Sequence, residues 1–358
     1  MNVIFDNIIF NLQSGGGISV VWYELLKRAV RDADFTKCFL EYPCANLCRS
    51  MLQLPAEQLV MPRNKCMERY RQPSFSAPRG SLFHSSYFRI LRQPSVKNIT
   101  TVHDLTYHFY RQGLARHVHV TQESYALNHS EGIICISEST KYDLLRCYPR
   151  LQADKIRVIH NGVSEAYYPV DAAPITHFEK GGYLLYVGNR AAEYKNYFVA
   201  VETARLTALP LVIVGSELTE VEQAQLNVLL GEEHWQSLCW QSEKQLNILY
   251  NQAFALLYPS SYEGFGLPVL EAQGAGCLVL AQAVSSIPEV AGEAGLLIEP
   301  TDDHQLAAEK MADLIQQVKN GRLDRNKYLQ NGRTNAARFS WDNAYAQTKA
   351  FYRDIDNK

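Results

Sequence analysis

The chain has 358 residues, of which 47% are apolar and 20% are charged, and its formal net charge is −2. This composition excludes disordered and fibrous proteins, and the length suits two domains better than a single core. Residues 1–150 carry six more basic than acidic residues, whereas the remainder carries eight more acidic than basic residues. The two halves therefore differ in charge.

Short β-rich runs alternate with helical stretches from the first residue onwards. Strands are predicted at residues 3–10, 37–42, 81–84, 98–102, 132–136, 156–159, 183–187, 211–214, 238–240, 255–258 and 278–281. Helices are predicted within residues 18–30, 114–128, 196–207, 242–252 and 305–319. This alternation predicts an α/β fold with parallel sheets and helices on both faces. Two prolines and a Gly-Gly pair in residues 165–182 predict a boundary, with domains at 1–170 and 171–340.

The sequence also indicates a compartment. No apolar run approaches the roughly 20 residues that a membrane-spanning helix needs. The first ten residues have neither a basic segment nor a small-residue cleavage site, so we expect a strand there and no secretory signal. The eight cysteines form no Cys-x-x-Cys pair, and Cys135 lies in an apolar run, as reduced core cysteines do. We therefore expect a cytoplasmic protein.

The strongest chemical signal is the segment from Tyr258 to Gly276, where a strand leads through a loop into a helix. Glu263 lies in the loop and Glu271 on the helix, and between them runs a glycine-rich turn formed by Gly264, Phe265, Gly266 and Leu267. Glycine lets the backbone approach a ligand closely, and the start of a helix attracts phosphate. Both carboxylates could then accept hydrogen bonds from sugar or ribose hydroxyls. An ordinary helix start with acidic residues nearby would give the same pattern.

A second signal follows the strand that ends at Gly188. Arg190 and Lys195 lie in the loop after it, at the end of a parallel strand where ligands gather. Two cations there suit a diphosphate, and they would stabilise the negative charge of a departing nucleoside diphosphate. Surface cations in such loops are also common without any ligand.

The N-terminal half contributes a glycine loop and a histidine. Gly16 and Gly17 open a helix after the first strand, without the spacing of the dinucleotide fingerprint, which disfavours a dehydrogenase. His103, followed by Asp104, ends another predicted strand, and a structural role for either feature is the alternative. No H-E-x-x-H, D-x-D or Cys/His framework is present, and Asp303 fits a helix N-cap. We therefore expect neither a metal nor a cofactor.

Taken together, these motifs resemble those of the group-1 retaining glycosyltransferases. The resemblance runs over nearly the whole chain and includes Glu263 and Glu271 in an E-x7-E motif followed by the segment IPEV at 287–290. Further landmarks are VGNRAAEYKN, VHDL, ISEST and HNGV, whereas Leu278 replaces a proline common in the family. The resemblance implies the GT-B fold, in which two Rossmann-like domains with parallel sheets face each other across a cleft. It also implies that residues 341–358 form a helix that crosses back to the N-terminal domain.

The resemblance also implies roles for the site residues. Glu263 would hold hydroxyls of the donor sugar, and Glu271 would hold the ribose. Arg190 and Lys195 would bind the diphosphate, and His103 would contact the sugar near its reacting carbon. These four catalytic candidates (Glu263, His103, Arg190 and Lys195) are accompanied by a donor-binding set of Gly16, Gly17, Gly188, Gly264, Phe265, Gly266, Leu267 and Glu271.

The expected activity is retaining, metal-independent transfer of mannose, glucose or galactose from a GDP- or UDP-linked donor. The acceptor would be a glycan or a lipid-linked oligosaccharide in O-antigen or capsule biosynthesis, and no nucleic acid is expected. The alternatives are a nucleotide-sugar epimerase of the same fold and a catalytically inactive scaffold. Residues 63–92 hold seven basic residues and only one acidic residue, interspersed with aromatic residues. This stretch predicts peripheral attachment to an anionic membrane surface, with a solvated face as the alternative.

Overall fold

A computed structural model of the chain describes residues 1–63 and 67–357. Lys65 of the basic stretch and Cys66 lie outside the described residues. The strands are β1 (Asn2–Asp6), β2 (Thr36–Leu40), β3 (Leu59–Val60), β4 (Ser81–Ser85), β5 (Lys97–Val102), β6 (Gly132–Cys135), β7 (Ile156–Val158), β8 (Leu184–Val187), β9 (Leu211–Val214), β10 (Trp235–Leu238), β11 (Ala255–Tyr258), β12 (Leu278–Gln282) and β13 (Gly295–Ile298).

The α-helices separate these strands along the chain. They are α1 (Ile9–Leu12), α2 (Gly17–Ala29), α3 (Leu47–Ser50), α4 (Thr106–Phe109), α5 (Gly113–Asn128), α6 (Glu138–Cys147), α7 (Tyr197–Thr207), α8 (Glu220–Leu230), α9 (Glu243–Gln252), α10 (Leu267–Ala275), α11 (Ile287–Ala291), α12 (His304–Lys319), α13 (Arg325–Ala336) and α14 (Trp341–Asp356). Within the described residues, no helix is both long enough and apolar enough to cross a membrane.

The chain divides into two compact units. The first comprises Met1–Gly162 together with Trp341–Lys358, and the second comprises Val163–Ser340. The division falls after Gly162, whereas the sequence predicts it after residue 170. The intervening segment belongs to the second unit because its backbone is bonded there: the Tyr168 and Val170 amides donate to Asn247 and Asn251 on α9.

Each unit is built on one parallel sheet, as predicted. In the described part of the chain, the first sheet has the order β3-β2-β1-β4-β5-β6-β7 and the second the order β10-β9-β8-β11-β12-β13. In each sheet, the first strand lies inside the sheet, with the next two strands of the chain on one side of it and the later strands on the other. The strand order therefore reverses at a switch point, which lies between β1 and β4 in the first sheet and between β8 and β11 in the second. In such sheets ligands bind outside the carboxyl ends of the strands at the switch point. The α/β fold class is confirmed.

Apolar side chains from strands and flanking helices form the core of each unit. In the first unit, one cluster includes Ile4 and Phe83 and another includes Val102 and Ile133, all with no exposed surface. In the second unit, the strands pack against α7 and α12 through a larger cluster. Near-continuous apolar strands of this kind are expected when helices cover both faces of a parallel sheet.

Helix α14 packs within the first unit through polar side chains as well as apolar ones. Lys349 contacts Asp32 and Asp34 at 2.6 and 2.5 Å, and Tyr345 donates to Asp32 at 2.8 Å. At its two ends, Asp342 pairs with Arg28 at 2.6 Å and Asp354 pairs with Arg157 at 2.8 Å. These contacts account for the grouping of the last residues of the chain with its first 162.

Candidate functional site

In the second unit, three loops meet at the switch point of the sheet. They follow β8, β11 and β12, which lie side by side, and they contain residues 188–196, 259–266 and 283–286. The Ser261 amide donates to the Tyr194 carbonyl at 2.8 Å. The Pro259 carbonyl accepts from Asn196 at 3.0 Å and from Gln282 at 2.8 Å. Backbone and side-chain hydrogen bonds therefore join the three loops into one edge.

Lys195 and Glu263 form an ion pair at this edge. The Nζ of Lys195 lies 2.6 Å from Oε1 of Glu263, and the two side chains are only 18% and 10% exposed. The ammonium also lies 5.5 Å from the ring centres of Tyr194 and Tyr258, a cation–π distance. Burial raises the pKa of Tyr258, and its hydrogen bond to the Glu263 carboxylate raises it further. Tyr258 therefore stays protonated and adds a second contact to Glu263.

Arg190 lies in the first of the three loops and is bonded to the loop after β9. Its guanidinium donates to the carbonyls of Ser216 and Glu217 at 2.8 and 3.0 Å and to Glu222 at 3.2 Å. Its side chain is 3% exposed. Arg190 thus carries a positive charge at this edge and also holds two loops together.

Two glycines allow the backbone to take the observed path here. Gly266, the N-cap of α10, has φ 105°, and a Cβ there would lie 2.9 Å from Cδ1 of Ile287. A Cβ on Gly215, after β9, would lie 2.7 Å from the Gly188 carbonyl oxygen and 3.2 Å from Arg190. Gly266 therefore allows the backbone turn that begins α10, where the helix dipole favours an anion. Gly215 leaves the space that the Arg190 guanidinium occupies.

Glu271 lies one turn into α10 and has different partners from Glu263. Its carboxylate accepts from the Tyr250 hydroxyl at 2.9 Å and is also hydrogen-bonded to Tyr167. Burial raises the pKa of Glu271 to about 7, with the negative charge of Glu243 adding to the effect and both tyrosines opposing it. This carboxyl group therefore titrates near neutral pH.

In the first unit, the glycine loop is held by Asn46, which the sequence did not single out. Gly16 is the N-cap of α2 and Gly17 its first residue. The buried Asn46 amide donates to the Gln13 carbonyl at 2.7 Å and to Ser19 Oγ at 2.9 Å, on either side of the glycines. The loop therefore has a fixed base and a tip made of residues without side chains.

His103 follows β5 and lines a cavity of about 50 Å³ that includes His84 and Thr101. Water needs roughly 10–15 Å³, so this space suits a few water molecules. Burial lowers the pKa of His103 to about 4, although Asp104 opposes the effect, so its imidazole is neutral at physiological pH. The Asp104 carboxylate accepts from the Thr106 amide at 2.8 Å and so shapes the turn into α4.

Among the described residues, no group of three or more His, Cys, Asp or Glu side chains is arranged to hold a metal ion. Asp303 caps α12 by accepting from the amides of Gln305 and Leu306. The metal independence of the reaction stays a prediction.

Family models match most of the chain. The model for glycosyl transferases group 1 matches residues 170–334, and the model for glycosyltransferase family 4 matches residues 79–167. The chain belongs to the group-1 glycosyltransferases. The first match contains Arg190, Lys195, Glu263 and Glu271, and the second contains His103.

Curated relatives of this glycosyltransferase include two O-antigen enzymes. The O-antigen chain mannosyltransferase B of Escherichia coli is 27% identical over 329 residues, which cover 86% of this chain and 82% of the relative. The O-antigen chain mannosyltransferase RfbU of Salmonella typhimurium is 26% identical over 217 residues, 59% of each protein. The matches give no support to the epimerase alternative.

Solved structures share the fold over almost the full length. A sucrose-phosphate synthase from Thermosynechococcus elongatus has a TM-score of 0.74 at 18% identity, covering 99% of this chain and 98% of the other. HepE from Anabaena, in complex with UDP and glucose, has a TM-score of 0.71 at 14% identity, covering 99% and 100%. The glycosyltransferase therefore has the GT-B type of α/β fold.

The structure brings together some of the predicted site residues of the glycosyltransferase. Within the second unit, Gly188, Arg190, Lys195, Glu263, Gly264, Phe265, Gly266 and Leu267 lie in the loops at the switch point or at the start of α10, and Glu271 follows on α10. Gly16, Gly17 and His103 belong to the first unit. Three residues that contact Glu263 were not predicted from the sequence, namely Tyr258, Ser285 and Ser286. Only their positions in the sequence could have indicated a role: Tyr258 ends a strand, and the two serines directly precede the IPEV segment.

Proposed function

We propose that this glycosyltransferase transfers a hexose from a GDP- or UDP-linked donor to a glycan or lipid-linked acceptor, with retention of configuration and without a metal. The observation that carries the proposal is the Lys195–Glu263 ion pair beside the start of α10. A nucleotide sugar offers each partner a complementary group. Its diphosphate is anionic, as Lys195 requires, and its sugar hydroxyls are donors, as Glu263 requires.

The names of the relatives support mannose as the first sugar to test. Two of them are O-antigen chain mannosyltransferases, and one spans most of this chain. HepE was solved with UDP and glucose, which supports a nucleoside diphosphate donor of the same general kind. We therefore propose a role in the assembly of a bacterial surface polysaccharide such as O-antigen or capsule, in the cytoplasm.

In the proposed reaction, each of the candidate site residues has a separate role. The bond between the anomeric carbon and the phosphate oxygen breaks, and the acceptor oxygen bonds to that carbon on the same face. The acceptor proton passes to the departing phosphate oxygen, so no separate base is required. Lys195, Arg190 and the dipole of α10 stabilise the charge that develops on the leaving diphosphate. In this proposal Glu263 holds the sugar while the bond breaks. The family resemblance adds the further proposal that His103, which is neutral, offers the sugar a hydrogen bond near its reacting carbon.

The proposal is tested by assaying nucleoside diphosphate release from GDP-mannose, UDP-glucose and UDP-galactose. Acceptor probes are an alkyl mannoside and a polyprenyl-diphosphate-linked sugar. Glu263→Ala should reduce turnover at least about a hundredfold while donor affinity falls much less, because its contact matters most in the transition state. Glu233→Ala, at an exposed carboxylate of the same unit, is the matched control and should leave both unchanged.

Three outcomes bear on separate parts of the proposal. Near-normal turnover in a folded Glu263→Ala variant would remove Glu263 from the site, and no turnover of any donor by the native chain would favour the inactive scaffold. Proton NMR of the new linkage should show the anomeric configuration of the donor, and inversion would overturn the mechanism. Activity should survive chelation with EDTA, and its loss with recovery on adding a divalent ion would overturn metal independence.

We also propose that an anionic membrane surface attracts the first unit. Within the basic stretch, Arg89 is buried against Asp6 and Glu68, and Arg69 donates to the Tyr87 hydroxyl. The cations that remain exposed among the described residues of the stretch are Arg63, Arg71, Arg79 and Arg92. Each contributes about 1 kcal/mol near an anionic leaflet, so attachment would be reversible and sensitive to salt.

A further inference from the structure

The loop after β12 carries an unusual backbone conformation. Ser285 has φ 44°, in the left-handed region that glycine adopts easily and other residues adopt at a cost. It lies just before α11, and the Ala283 and Ile287 amides on either side donate to Ile298 and Val284 carbonyls at 2.9 Å each. A glycine would fit this backbone with less strain, but it would lack a hydroxyl group.

The hydroxyl group of Ser285 has a specific partner. Its Oγ accepts a hydrogen bond of 2.8 Å from the backbone amide of Glu263, on the neighbouring strand's loop. The next residue, Ser286, is fully buried and donates to the carbonyls of Glu263 and Phe265 at 3.0 and 2.9 Å. Two consecutive serines therefore bind the peptide groups on both sides of the Glu263 Cα.

The side chain of Glu263 is held from other directions. Lys195 and Tyr258 bond its carboxylate, and Ile287 packs against Gly266 at the end of the same loop. These contacts restrict the carboxylate and the end of the loop, whereas the serines fix the backbone from which the carboxylate projects. A displacement of that backbone would move the carboxylate relative to any sugar bound there, and such shifts are costly to turnover.

We propose that Ser285 is a positioning residue, whose hydroxyl group fixes the Glu263 backbone and whose left-handed conformation is retained for that purpose. The inference rests on the proposed function, because it requires Glu263 to act on the donor sugar. Backbone strain that the surrounding structure maintains is often found where geometry serves function. The proposal adds a residue outside the predicted donor-binding set and assigns it an effect on turnover rather than on phosphate binding.

Three variants separate positioning from stability. Ser285→Gly removes the hydroxyl and relieves the strain, whereas Ser285→Ala removes the hydroxyl and keeps the strain. Ala208→Gly is the matched control, because Ala208 ends α7 with φ 51° and is exposed. Melting temperature should be higher in Ser285→Gly than in Ser285→Ala, and higher in Ala208→Gly than in the native chain.

The kcat values of the same variants should follow a different order from their melting temperatures. We expect kcat to fall at least tenfold in both Ser285 variants and to stay unchanged in Ala208→Gly. Affinity for the free nucleoside diphosphate, measured by calorimetry, should stay within about threefold in all three variants. Native kcat in Ser285→Gly would overturn the proposal, as would a kcat that follows melting temperature across the set.

A double variant tests whether Ser285 acts through Glu263. In a Glu263→Gln background, Ser285→Gly should lower kcat by less than threefold, because residues that act as a unit are not additive. A full tenfold loss in that background would show that Ser285 acts elsewhere. If Glu263→Ala leaves turnover intact, the proposed function of the site fails. If Glu263→Ala abolishes turnover and Ser285→Gly does not reduce it, only the positioning role fails.

Discussion

Replacing Glu271 by glutamine should change how the stability of the protein depends on pH. Burial raises the pKa of this carboxyl group from 4.5 to about 7, so the folded protein keeps a proton that the unfolded chain releases between those values. The free energy of unfolding therefore falls as pH rises from about 4.5 to 7. At about 1.4 kcal/mol for each of the roughly 2.5 pH units between the two values, the full loss is between about 3 and 4 kcal/mol, of which about 3 kcal/mol falls between pH 4.5 and 8. Glutamine cannot ionise, so this loss should disappear.

Urea unfolding followed by circular dichroism measures the effect as a difference between two proteins. The free energy of unfolding of Glu271→Gln minus that of the native chain should increase by about 3 kcal/mol between pH 4.5 and 8. Titrating groups that do not interact with Glu271 contribute equally to both proteins and cancel. Glu309→Gln, at an exposed carboxylate of α12, should show a constant difference. A difference for Glu271→Gln that stays constant within 1 kcal/mol would refute the reasoning.

The same titration should appear in donor binding if Glu271 holds the ribose. Ribose hydroxyls donate best to the ionised carboxylate, so affinity for a nucleotide sugar should rise as pH passes through 7. With a pKa of about 7, the affinity should be about tenfold tighter at pH 8 than at pH 6. The diphosphate of a nucleotide sugar has no ionisation in this range. An identical pH dependence in Glu271→Gln would remove the carboxylate from ribose binding.

Two further predictions concern charge. Lys195→Ala and Arg190→Ala should each weaken binding of the free nucleoside diphosphate by ~1.5 to 3 kcal/mol, and Arg190→Ala should also lower melting temperature because Arg190 joins two loops. Unchanged calorimetric affinity in both variants would place the phosphates elsewhere. Co-sedimentation with phosphatidylglycerol vesicles should exceed that with phosphatidylcholine vesicles, fall with salt, and weaken in an Arg63→Gln/Arg71→Gln variant. Equal recovery with both vesicles would favour a soluble acceptor.

The sequence predicted those features of the fold that depend on neighbouring residues. Helix α9 begins where Ser242 and Gln245 form a capping box, and α12 begins where Asp303 caps it. The apolar pattern at the start of the chain did not distinguish a strand from a helix. The predicted strand 3–10 is divided into β1 and α1, because apolar residues buried on all sides fit a short strand and a short helix equally well.

The site was predictable where a residue type at the end of a strand carries the signal. Arg190, Lys195 and Glu263 follow β8 and β11, and the carboxyl ends of adjacent parallel strands meet at one edge. The contacts that hold them depend on strand order, which the sequence does not show. Ser285 bonds Glu263 because β12 lies beside β11. Likewise, Tyr167 reaches Glu271 from a segment that looked like a linker between domains.

The pH dependence of turnover shows which of two buried groups, His103 or Glu271, changes its protonation state near neutral pH. Histidine is the usual source of pH dependence near neutrality, but burial lowers the pKa of His103 to about 4, so its protonation state is constant between pH 6 and 8. Glu271 titrates inside that range. At subsaturating donor, kcat/KM should therefore rise between pH 6 and 8 in the native chain and in His103→Asn, although the latter is slower throughout. The rise should be absent in Glu271→Gln. If His103→Asn flattened the profile and Glu271→Gln preserved it, the imidazole would titrate near neutrality in solution, and its role would be that of an acid or base rather than a neutral hydrogen-bonding group.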